Sequence, residues 1–404
     1  MTISSGLSEK VTASRPSPTL EAARALRPLL EKHTERNERA GELAPEVIDA
    51  FHKLNLFGIY VPKKLGGLEL TPVEGLEIVE ALSYADGPSG WVLFATALAI
   101  GTGAAYLSKE AVAELFSGAR MPVIAGQGIP NGKAVPTEGG YLVSGRWSYG
   151  SGLKHSQYLH TGAIVFDGAK PRQTPSGAPE MRIFVVPIDK VQLGDNWDVM
   201  GLRATGSIDY ALDNLFVPDA FTHVTDTRDA SAGDIFRLGI LGLAVVGHTG
   251  FAMGVGRRLL DEIATLAQER VGKPGLLGES ERFREQYATF EAQYRGARAF
   301  TMDAWHDIQN TCYSGQNPST RQITLVRLAL NHITNVAADI SDFAYRAAGG
   351  VALRSSVIQR YFRDIHAGTQ HVTISPGLLR ECGRELAGLA EGKVWSFLNL
   401  VDPA

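Results

Sequence analysis

The order of hydrophobic patterns along the chain is the strongest constraint on its fold. Apolar residues recur at helical spacing from Leu20 to about Phe116. From about Met121 to Pro218 the pattern changes to short apolar runs separated by Gly, Pro, Asn and Asp. Helical spacing then returns from about Asp234 to Leu400. Because strands do not alternate with helices, a doubly wound parallel sheet is excluded.

This order predicts an α+β protein whose helices and strands lie in separate domains. Residues 1–119 are predicted to form an N-terminal helical domain, with 1–17 as a disordered lead. Residues 120–232 are predicted to form a small β-barrel or sandwich. Residues 233–404 are predicted to form a C-terminal four-helix bundle. The four bundle helices are expected over Ile235 to Arg270, Glu279 to Thr311, Ser319 to Ala348 and Arg360 to Leu389.

Charge and cysteine content exclude several function classes. The formal net charge of -4 gives no reason to expect nucleic acid or an anionic membrane as a partner. The apolar run from Trp91 to Leu107 contains two glycines and is short for a membrane span, so we predict a buried helix, with Ser89 as its cap. The two cysteines, Cys312 and Cys382, predict neither a disulfide framework nor a metal site, and they favour a cytoplasmic location.

The common nucleotide-binding loops are missing from the sequence. Gly126-Gln127-Gly128 lacks the third glycine and the following helix of a dinucleotide fingerprint, and no P-loop is present. A nucleotide cofactor must therefore be held by another arrangement.

Three segments carry longer motifs. The first is Gly145 to Gly152, which reads G-R-W-S-Y-G-S-G. The second runs from Asn196 to Ser207 and reads N-W-D-V-M-G-L-R-A-T-G-S. The third follows a glycine pair and runs from Arg360 to His371, reading R-Y-F-R-D-I-H-A-G-T-Q-H. In order and position, these segments resemble the motifs of acyl-CoA dehydrogenases over most of the chain.

The resemblance implies a flavin bound between subunits, and therefore a homotetramer or at least a dimer. The segment with Trp147, Tyr149 and Ser151 is implied to lie along the flavin ring, with the Ser151 hydroxyl at its N5 edge. Arg203 is a candidate for contact with flavin or substrate, or alternatively for fixing its own loop. Arg270 partly matches an arginine that binds the flavin phosphate. Gly349 and Gly350 match the pair that approaches the phosphate arm.

Two departures from the dehydrogenase pattern change the expected reaction. Abstraction of a thioester α-proton needs a positioned glutamate. No Asp or Glu occurs between Asp364 and Glu381, or from Gly250 to Gly256. The dehydrogenase signature T-E-P-x-A-G-S-D is also absent around residues 125–132. The chain instead resembles flavin-dependent monooxygenases of the same fold, whose R-D-x-x-[AG]-x-x-x-H-V motif matches residues 363–372.

That second resemblance implies the oxygenase component of a two-component aromatic hydroxylase. An NAD(P)H-dependent flavin reductase would supply reduced FMN or FAD, and oxygen would add at C4a to give a hydroperoxide. Ser151 would hold the N5 proton, and His371 would hydrogen-bond the peroxide or activate a phenol or indole NH. Residues implied to line the substrate pocket are Trp91, Phe94, Gly126, Gln127 and His371.

Some alternatives stay open at this point. The sequence is compatible with an acyl-CoA dehydrogenase that uses an unusual base, and with N- or S-oxygenation by the same fold. His248 and His366 are interpreted as helix-packing residues. The resemblance to phenol hydroxylases implies a phenol-binding histidine in the helix from Gly90 to Ile100, and this sequence has none there. This favours a neutral aromatic substrate, such as indole or a fused ring, over a phenol.

Overall fold

The N-terminal region is helical. The structure, a computed structural model, describes residues 16–174, 177–225, 227–269 and 276–403. The helices are α1 (Pro18–Ala25), α2 (Arg27–Ala40), α3 (Pro45–Lys53), α4 (Pro72–Ala85), α5 (Gly87–Tyr106) and α6 (Lys109–Leu115). Several begin with proline, which suits the first turn because it lacks an N–H. Most of the predicted disordered lead lies outside the described residues, and Ser17 caps α1.

The predicted apolar helix is α5, and it is buried along most of its length. Its cap is Asp86 rather than the predicted Ser89. The Asp86 carboxylate accepts the amide of Ser89 at 3.0 Å and its hydroxyl at 2.5 Å, so Ser89 occupies the third helical position. Two helical stretches, Gly87–Tyr106 and Asp234–Gln268, are long and apolar enough to cross a membrane, but 78% of the most apolar window of each is buried inside the protein.

The middle of the chain forms one mixed sheet. Its strands are β1 (Ile124–Thr137), β2 (Gly140–Gly150), β3 (Tyr158–Asp167), β4 (Lys170–Pro171), β5 (Met181–Pro187), β6 (Gln192–Leu193), β7 (Ile208–Pro218) and β8 (Thr222–Val224). Their order is β6-β7-β2-β1-β3-β5-β8, with β4 paired to β3. The β1–β3 pair is parallel and the other pairs are antiparallel. The predicted β-domain is therefore present, and its strands form one continuous sheet.

Helices return in the C-terminal region. They are α7 (Gly239–Gln268), α8 (Glu281–Tyr313), α9 (Thr320–Ala348), α10 (Val357–Gly368) and α11 (Pro376–Leu386). A short hairpin of β9 (Val394–Ser396) and β10 (Asn399–Val401), which the sequence pattern did not predict, follows them. The helical regions on both sides of the sheet confirm the predicted α+β fold with a C-terminal bundle.

The prediction of one helix from Arg360 to Leu389 was wrong. The chain breaks after α10, where His371 has extended backbone angles, and it restarts at Pro376 as α11. Proline disfavours helical angles in the residue before it, which explains the break. The predicted domain boundary at 119/120 falls between α6 and β1, and that at 232/233 falls after β8. The division into three domains stays a prediction.

A buried carboxylate joins α10 to the loop before β7. Asp364 Oδ1 accepts the backbone amide of Leu202 at 2.6 Å. In the preceding position, the Arg363 guanidinium donates to the carbonyl of Met200 at 2.8 Å. Burial raises the pKa of Asp364 to about 7, a shift that the Leu202 amide opposes and the nearby Asp86 reinforces. The Asp364–Leu202 bond therefore holds the C-terminal helices against the β-domain.

We predict that at about pH 4, where Asp364 is protonated in the folded protein, Asp364→Ala lowers the free energy of unfolding by about 1–3 kcal/mol, because the buried Leu202 amide loses its acceptor. Asp364→Asn keeps an acceptor oxygen and should cost less. In the wild type, the folded state holds the Asp364 proton more tightly than the unfolded state does. Stability should therefore fall as pH rises from about 4 to about 7, by at most about 1.4 kcal/mol per pH unit from this group.

Urea denaturation at several pH values measures both effects. In Asp364→Asn, the free energy of unfolding should change less with pH between about 4 and about 7. The change that is left comes from Asp86, whose pKa burial also raises. If the pH dependence of Asp364→Asn equals that of the wild type, Asp364 is not the group that titrates in this range.

Candidate active site

A cavity of about 970 Å³ lies where the helical regions meet the sheet. This volume is at the upper end for small-molecule sites, so it accommodates more than one aromatic ring system. Its walls come from α5, from the ends of β1 and β2, from residues 197–207, from α7 and from the turn between α10 and α11. The predicted site residues that line it are Trp91, Phe94, Gly126, Gln127, Tyr149, Ser151 and His371.

Four rings form an aromatic cluster at one end of the cavity. The Trp91 ring centroid lies 5.0 Å from that of Phe94 and 6.1 Å from that of His371. His248, on α7, is 3.8 Å from His371 between ring centroids and 4.6 Å from Phe94. The interpretation of His248 as only a packing residue is therefore incomplete, since its ring lines the cavity beside His371.

His371 is a neutral hydrogen-bond donor in this arrangement. Its Nδ1 accepts the backbone N–H of Thr373 at 3.3 Å and lies 2.8 Å from the Thr373 hydroxyl. A backbone N–H can only donate, so Nδ1 has no proton and the ring proton is on Nε2. Burial lowers the pKa of His371 to about 4 and lowers that of His248 well below its usual value. Both rings are therefore uncharged at neutral pH.

A chain of hydroxyls fixes the hydrogen-bonding role of Ser151. The indole N–H of Trp91 donates to Ser151 Oγ at 3.1 Å, and Ser151 Oγ lies 2.7 Å from Ser207 Oγ. Ser207 Oγ is 2.6 Å from Thr205 Oγ1, which donates to the carbonyl of Leu202 at 2.8 Å.

The two ends of this chain determine its polarity. The Leu202 carbonyl can only accept, so Thr205 donates to it and must accept from Ser207. Ser207 in turn accepts from Ser151. With its hydrogen engaged and one lone pair occupied by Trp91, Ser151 keeps one lone pair, and it can only accept a hydrogen bond from a ligand.

Tyr149 lies at the rim of the cavity in an unusual backbone conformation. Its φ is +69°, in the left-handed region that bulky residues rarely adopt, and its side chain is 69% exposed. The β2–β7 register shifts between Trp147 and Gly150, so the end of the strand that carries Tyr149 is irregular. Strained positions of this kind concentrate at functional sites.

Several predicted cofactor residues lie elsewhere. Trp147 is in the sheet core, where it stacks on Tyr210 and donates to the Gly162 carbonyl at 2.9 Å, because its strand position faces away from the cavity. Arg203 is outside the cavity lining, and its carbonyl accepts the Trp197 indole N–H at 2.9 Å. Gly349 and Gly350 are at the open end of α9, also outside the lining. Arg270 lies outside the described residues.

The cavity lining contains histidines and arginines but no acidic side chain. Within the described ranges, no aspartate or glutamate contributes to its wall. No group of three or more His, Cys, Asp or Glu side chains in the described part of the chain is placed to hold a metal ion. The described lining therefore offers neutral histidine and hydroxyl groups together with cationic arginines, and no carboxylate to act as a base.

Sequence reasoning missed Thr205, Ser207 and His248. Thr205 and Ser207 both lie in the motif of residues 196–207, but their contact depends on a short 3-10 helix over Arg203–Thr205 and a left-handed Gly206, which the motif did not reveal. No local signal identified His248, since its role depends on α7 meeting the turn that carries His371.

Family models match both helical regions. The model described as "Acyl-CoA dehydrogenase, N-terminal domain" matches residues 20–118, and "Acyl-CoA dehydrogenase, C-terminal domain" matches residues 246–376. The chain belongs to the acyl-CoA dehydrogenase family. This result confirms the family on which the sequence motifs were interpreted.

Two proteins of similar sequence are named as a monooxygenase and as a hydroxylase. The chain is 28% identical to indole-3-acetate monooxygenase of Pseudomonas putida, over 87% of this chain and 89% of that one. It is 23% identical to "p-hydroxyphenylacetate 3-hydroxylase, oxygenase component" of Acinetobacter baumannii, over 92% and 89%.

Solved structures share the fold of this family member. XiaF from Streptomyces sp., in complex with FADH2 and glycerol, aligns with a TM-score of 0.83 at 22% identity, covering 92% of this chain and 95% of that one. TdsC from Paenibacillus sp. A11-2, in complex with FMN and indole, aligns with a TM-score of 0.75 at 20% identity, covering 92% and 97%.

The cavity of this acyl-CoA dehydrogenase family member fits a reduced flavin. Its volume admits the ring system, Tyr149 offers an aromatic surface at the rim, and Ser151 offers an unoccupied lone pair. Reduced flavin carries a donor at N5, which is the partner that an acceptor-only hydroxyl requires. Ser151, Tyr149 and Trp91 are the residues that would hold the flavin ring.

We predict that nitrogen-15 NMR of histidine-labelled protein shows His371 with its proton on Nε2 and a bare Nδ1 at pH 7. Its resonances should stay unchanged on acidification to about pH 5, because its pKa is about 4. Thr373→Val, which removes only the side-chain contact to Nδ1, is the matched variant and should retain the tautomer through the backbone N–H. A titration midpoint between pH 6 and 7 would contradict the neutral ring.

Proposed function

We propose that the protein is the oxygenase component of a two-component flavin-dependent monooxygenase that hydroxylates an aromatic substrate. Its flavin, FMN or FAD, arrives reduced from a separate NAD(P)H-dependent reductase. The observation that supports this most is the paired chemistry of the cavity wall: an acceptor-only Ser151 faces the same space as a neutral donor, His371, with no acidic side chain in the described lining.

When bound, reduced flavin supplies the two electrons that reduce one oxygen atom of O2 to water while the other enters the substrate. The residues of the chain have three tasks in this reaction. Ser151 Oγ holds the N5 proton by accepting its hydrogen bond, and the hydroxyl chain through Ser207 keeps that oxygen from donating. His371 Nε2–H donates to developing negative charge on oxygen.

The third task is to exclude water. The Trp91 ring packs edge to face on Phe251, with centroids 4.9 Å apart, and at a tilt on Phe94, with centroids 5.0 Å apart. An apolar wall raises the strength of the few hydrogen bonds that remain and limits proton exchange with solvent. The same apolar environment keeps His248 and His371 uncharged.

An acyl-CoA dehydrogenase activity has less support. Such a reaction requires a base that removes an α-proton, and the described cavity lining offers no carboxylate. His371 cannot take its place, because Nδ1 is engaged by Thr373 and Nε2 carries the proton.

The remaining expectations on assembly and location are part of the proposal. The homotetramer is proposed from the resemblance to acyl-CoA dehydrogenases, and Gly349 and Gly350, which are exposed, are where a second subunit would approach. A cytoplasmic location is supported by the two free, buried cysteines. For the substrate, the names of the relatives favour an indole or phenol ring, and two of those names denote arylacetates.

The reaction is tested with NADH, a flavin reductase and a panel of indoles, phenols and fused aromatics. A hydroxylated product that incorporates one atom from 18O2 is the expected result. Absence of oxygenated product across the panel, together with bleaching of bound oxidised FAD by an acyl-CoA, would replace the proposal with the dehydrogenase alternative.

We predict that His371→Ala binds reduced flavin with about wild-type affinity but converts NADH to hydrogen peroxide rather than product. Loss of a positioned donor to developing charge lowers turnover by about 100-fold or more. His332→Ala, which removes an exposed histidine on α9, is the control and should leave the yield unchanged. Product yield per NADH measures coupling, and an unchanged yield in His371→Ala would assign that residue a purely structural role.

A further inference from the structure

We propose that Arg327 binds an anionic group, a carboxylate, on the substrate, at the end of the cavity formed by α9 and the C-terminal hairpin. This inference rests on the proposed function and deepens it. The sequence favoured a neutral aromatic ring. The structure assigns to that ring a charged arm.

Arg327 is a buried cation without a counter-ion. The residue is only 5% exposed, and it lines the cavity. None of its guanidinium nitrogens forms a hydrogen bond or ion pair with any described residue, and Nη1 is buried without a partner. Buried arginines are normally paired, since an uncompensated charge costs several kcal/mol.

The surroundings keep the guanidinium charged and leave it available. The Arg327 guanidinium lies over the Trp395 ring, 4.1 Å from its centroid, which fixes its plane. Burial lowers the pKa of Arg327 to about 10, and the nearby charge of Arg228 acts in the same direction, so the side chain is still protonated at neutral pH. Arg228 also lines the cavity and forms no ion pair within the described ranges.

The other arginine of the lining has a different environment. Arg237 Nε lies 3.0 Å from Asp234 Oδ1, so its charge is already balanced by a residue outside the cavity wall. Arg327, which is buried, and Arg228, which is half-buried, therefore both border a cavity that has no acidic side chain in its described lining, and neither has an ion-pair partner among the described residues. A carboxylate from a ligand supplies the missing charge, and the fork of donors on arginine matches its two oxygens.

Asn331 links the helical turn of Arg327 to the turn that carries His371. Asn331 Nδ2 donates to the Arg327 carbonyl at 3.0 Å and to the Thr373 carbonyl at 3.1 Å, in the turn that carries His371. Arg327 precedes Asn331 by one helical turn, about 6 Å along α9. Arg327 and His371 also line the same cavity, so one ligand that carries an aromatic ring and a carboxylate can contact both, and an arylacetate is the simplest probe of this kind.

The test measures binding to flavin-free protein by calorimetry. The probes are indole-3-acetate, 4-hydroxyphenylacetate and phenylacetate, each compared with its uncharged amide. A hydrogen bond to a charged group is worth about 1.5–3 kcal/mol, which is roughly 10- to 150-fold in Kd. The best carboxylate should bind the wild type at least about tenfold tighter than its amide. In Arg327→Met this preference should disappear, because the affinity for the carboxylate falls to that for the amide. Arg327→Lys should retain part of the preference.

Arg321→Met is the matched control. Arg321 is on the same helix, is exposed, and pairs with Glu385 at 2.9 Å, so its loss should leave both affinities unchanged. Thermal unfolding provides an independent readout. Methionine keeps contact with Trp395 while removing an unpaired charge, so Arg327→Met should melt at or above the wild-type temperature in the absence of ligand.

Three results would overturn the inference. The first is that no carboxylate binds the wild type better than its amide. The second is a lower melting temperature in Arg327→Met, which would make the residue structural. The third is a loss of preference for FMN over riboflavin in Arg327→Met, which would assign Arg327 to the flavin phosphate. Because no flavin or oxygen enters the substrate-binding measurement, failure of hydroxylation in the enzyme assay is distinguished from failure of this site.

Discussion

The hydrogen bond from the Leu202 amide to the Asp364 carboxylate holds both halves of the site in register. Leu202 contributes its carbonyl to the end of the hydroxyl chain, and that chain makes Ser151 an acceptor. Asp364 is on α10, and the end of α10 leads into the turn that presents His371. One buried bond therefore positions an acceptor wall from the β-domain relative to a donor from the C-terminal helices.

The sequence was sufficient for the fold and for part of the site. Periodicity identified the helix–sheet–helix order, and motif order identified the family, because both are written in consecutive residues. Ser151 and His371 were found from motifs, but their hydrogen-bonding roles were not, since these depend on Ser207 and Thr373. Pro376 was visible in the sequence as a residue that ends a helix before it, but the prediction of one helix from Arg360 to Leu389 ignored it. Arg327 had a visible signal, a cation on the apolar stripe between Ile323 and Leu330.

Burial acts differently on the two kinds of base in the cavity. A histidine placed in an apolar environment gives up its proton, and His371 and His248 are neutral for that reason. A guanidinium has too high an intrinsic pKa to do so, and Arg327 keeps its charge. The same low polarity thus creates an uncharged end, suited to oxygen chemistry, and a cationic end, suited to recognition.

The cavity wall is assembled from residues that are far apart in the chain, from Trp91 to Trp395. Contacts between such distant segments form late in folding, after local helices and hairpins. A newly made or partly unfolded chain therefore has no enclosed place in which to hold a reduced flavin. Only the fully folded protein can therefore hold reduced flavin and activate oxygen. A partly folded chain does not form a flavin site that is open to water and releases peroxide.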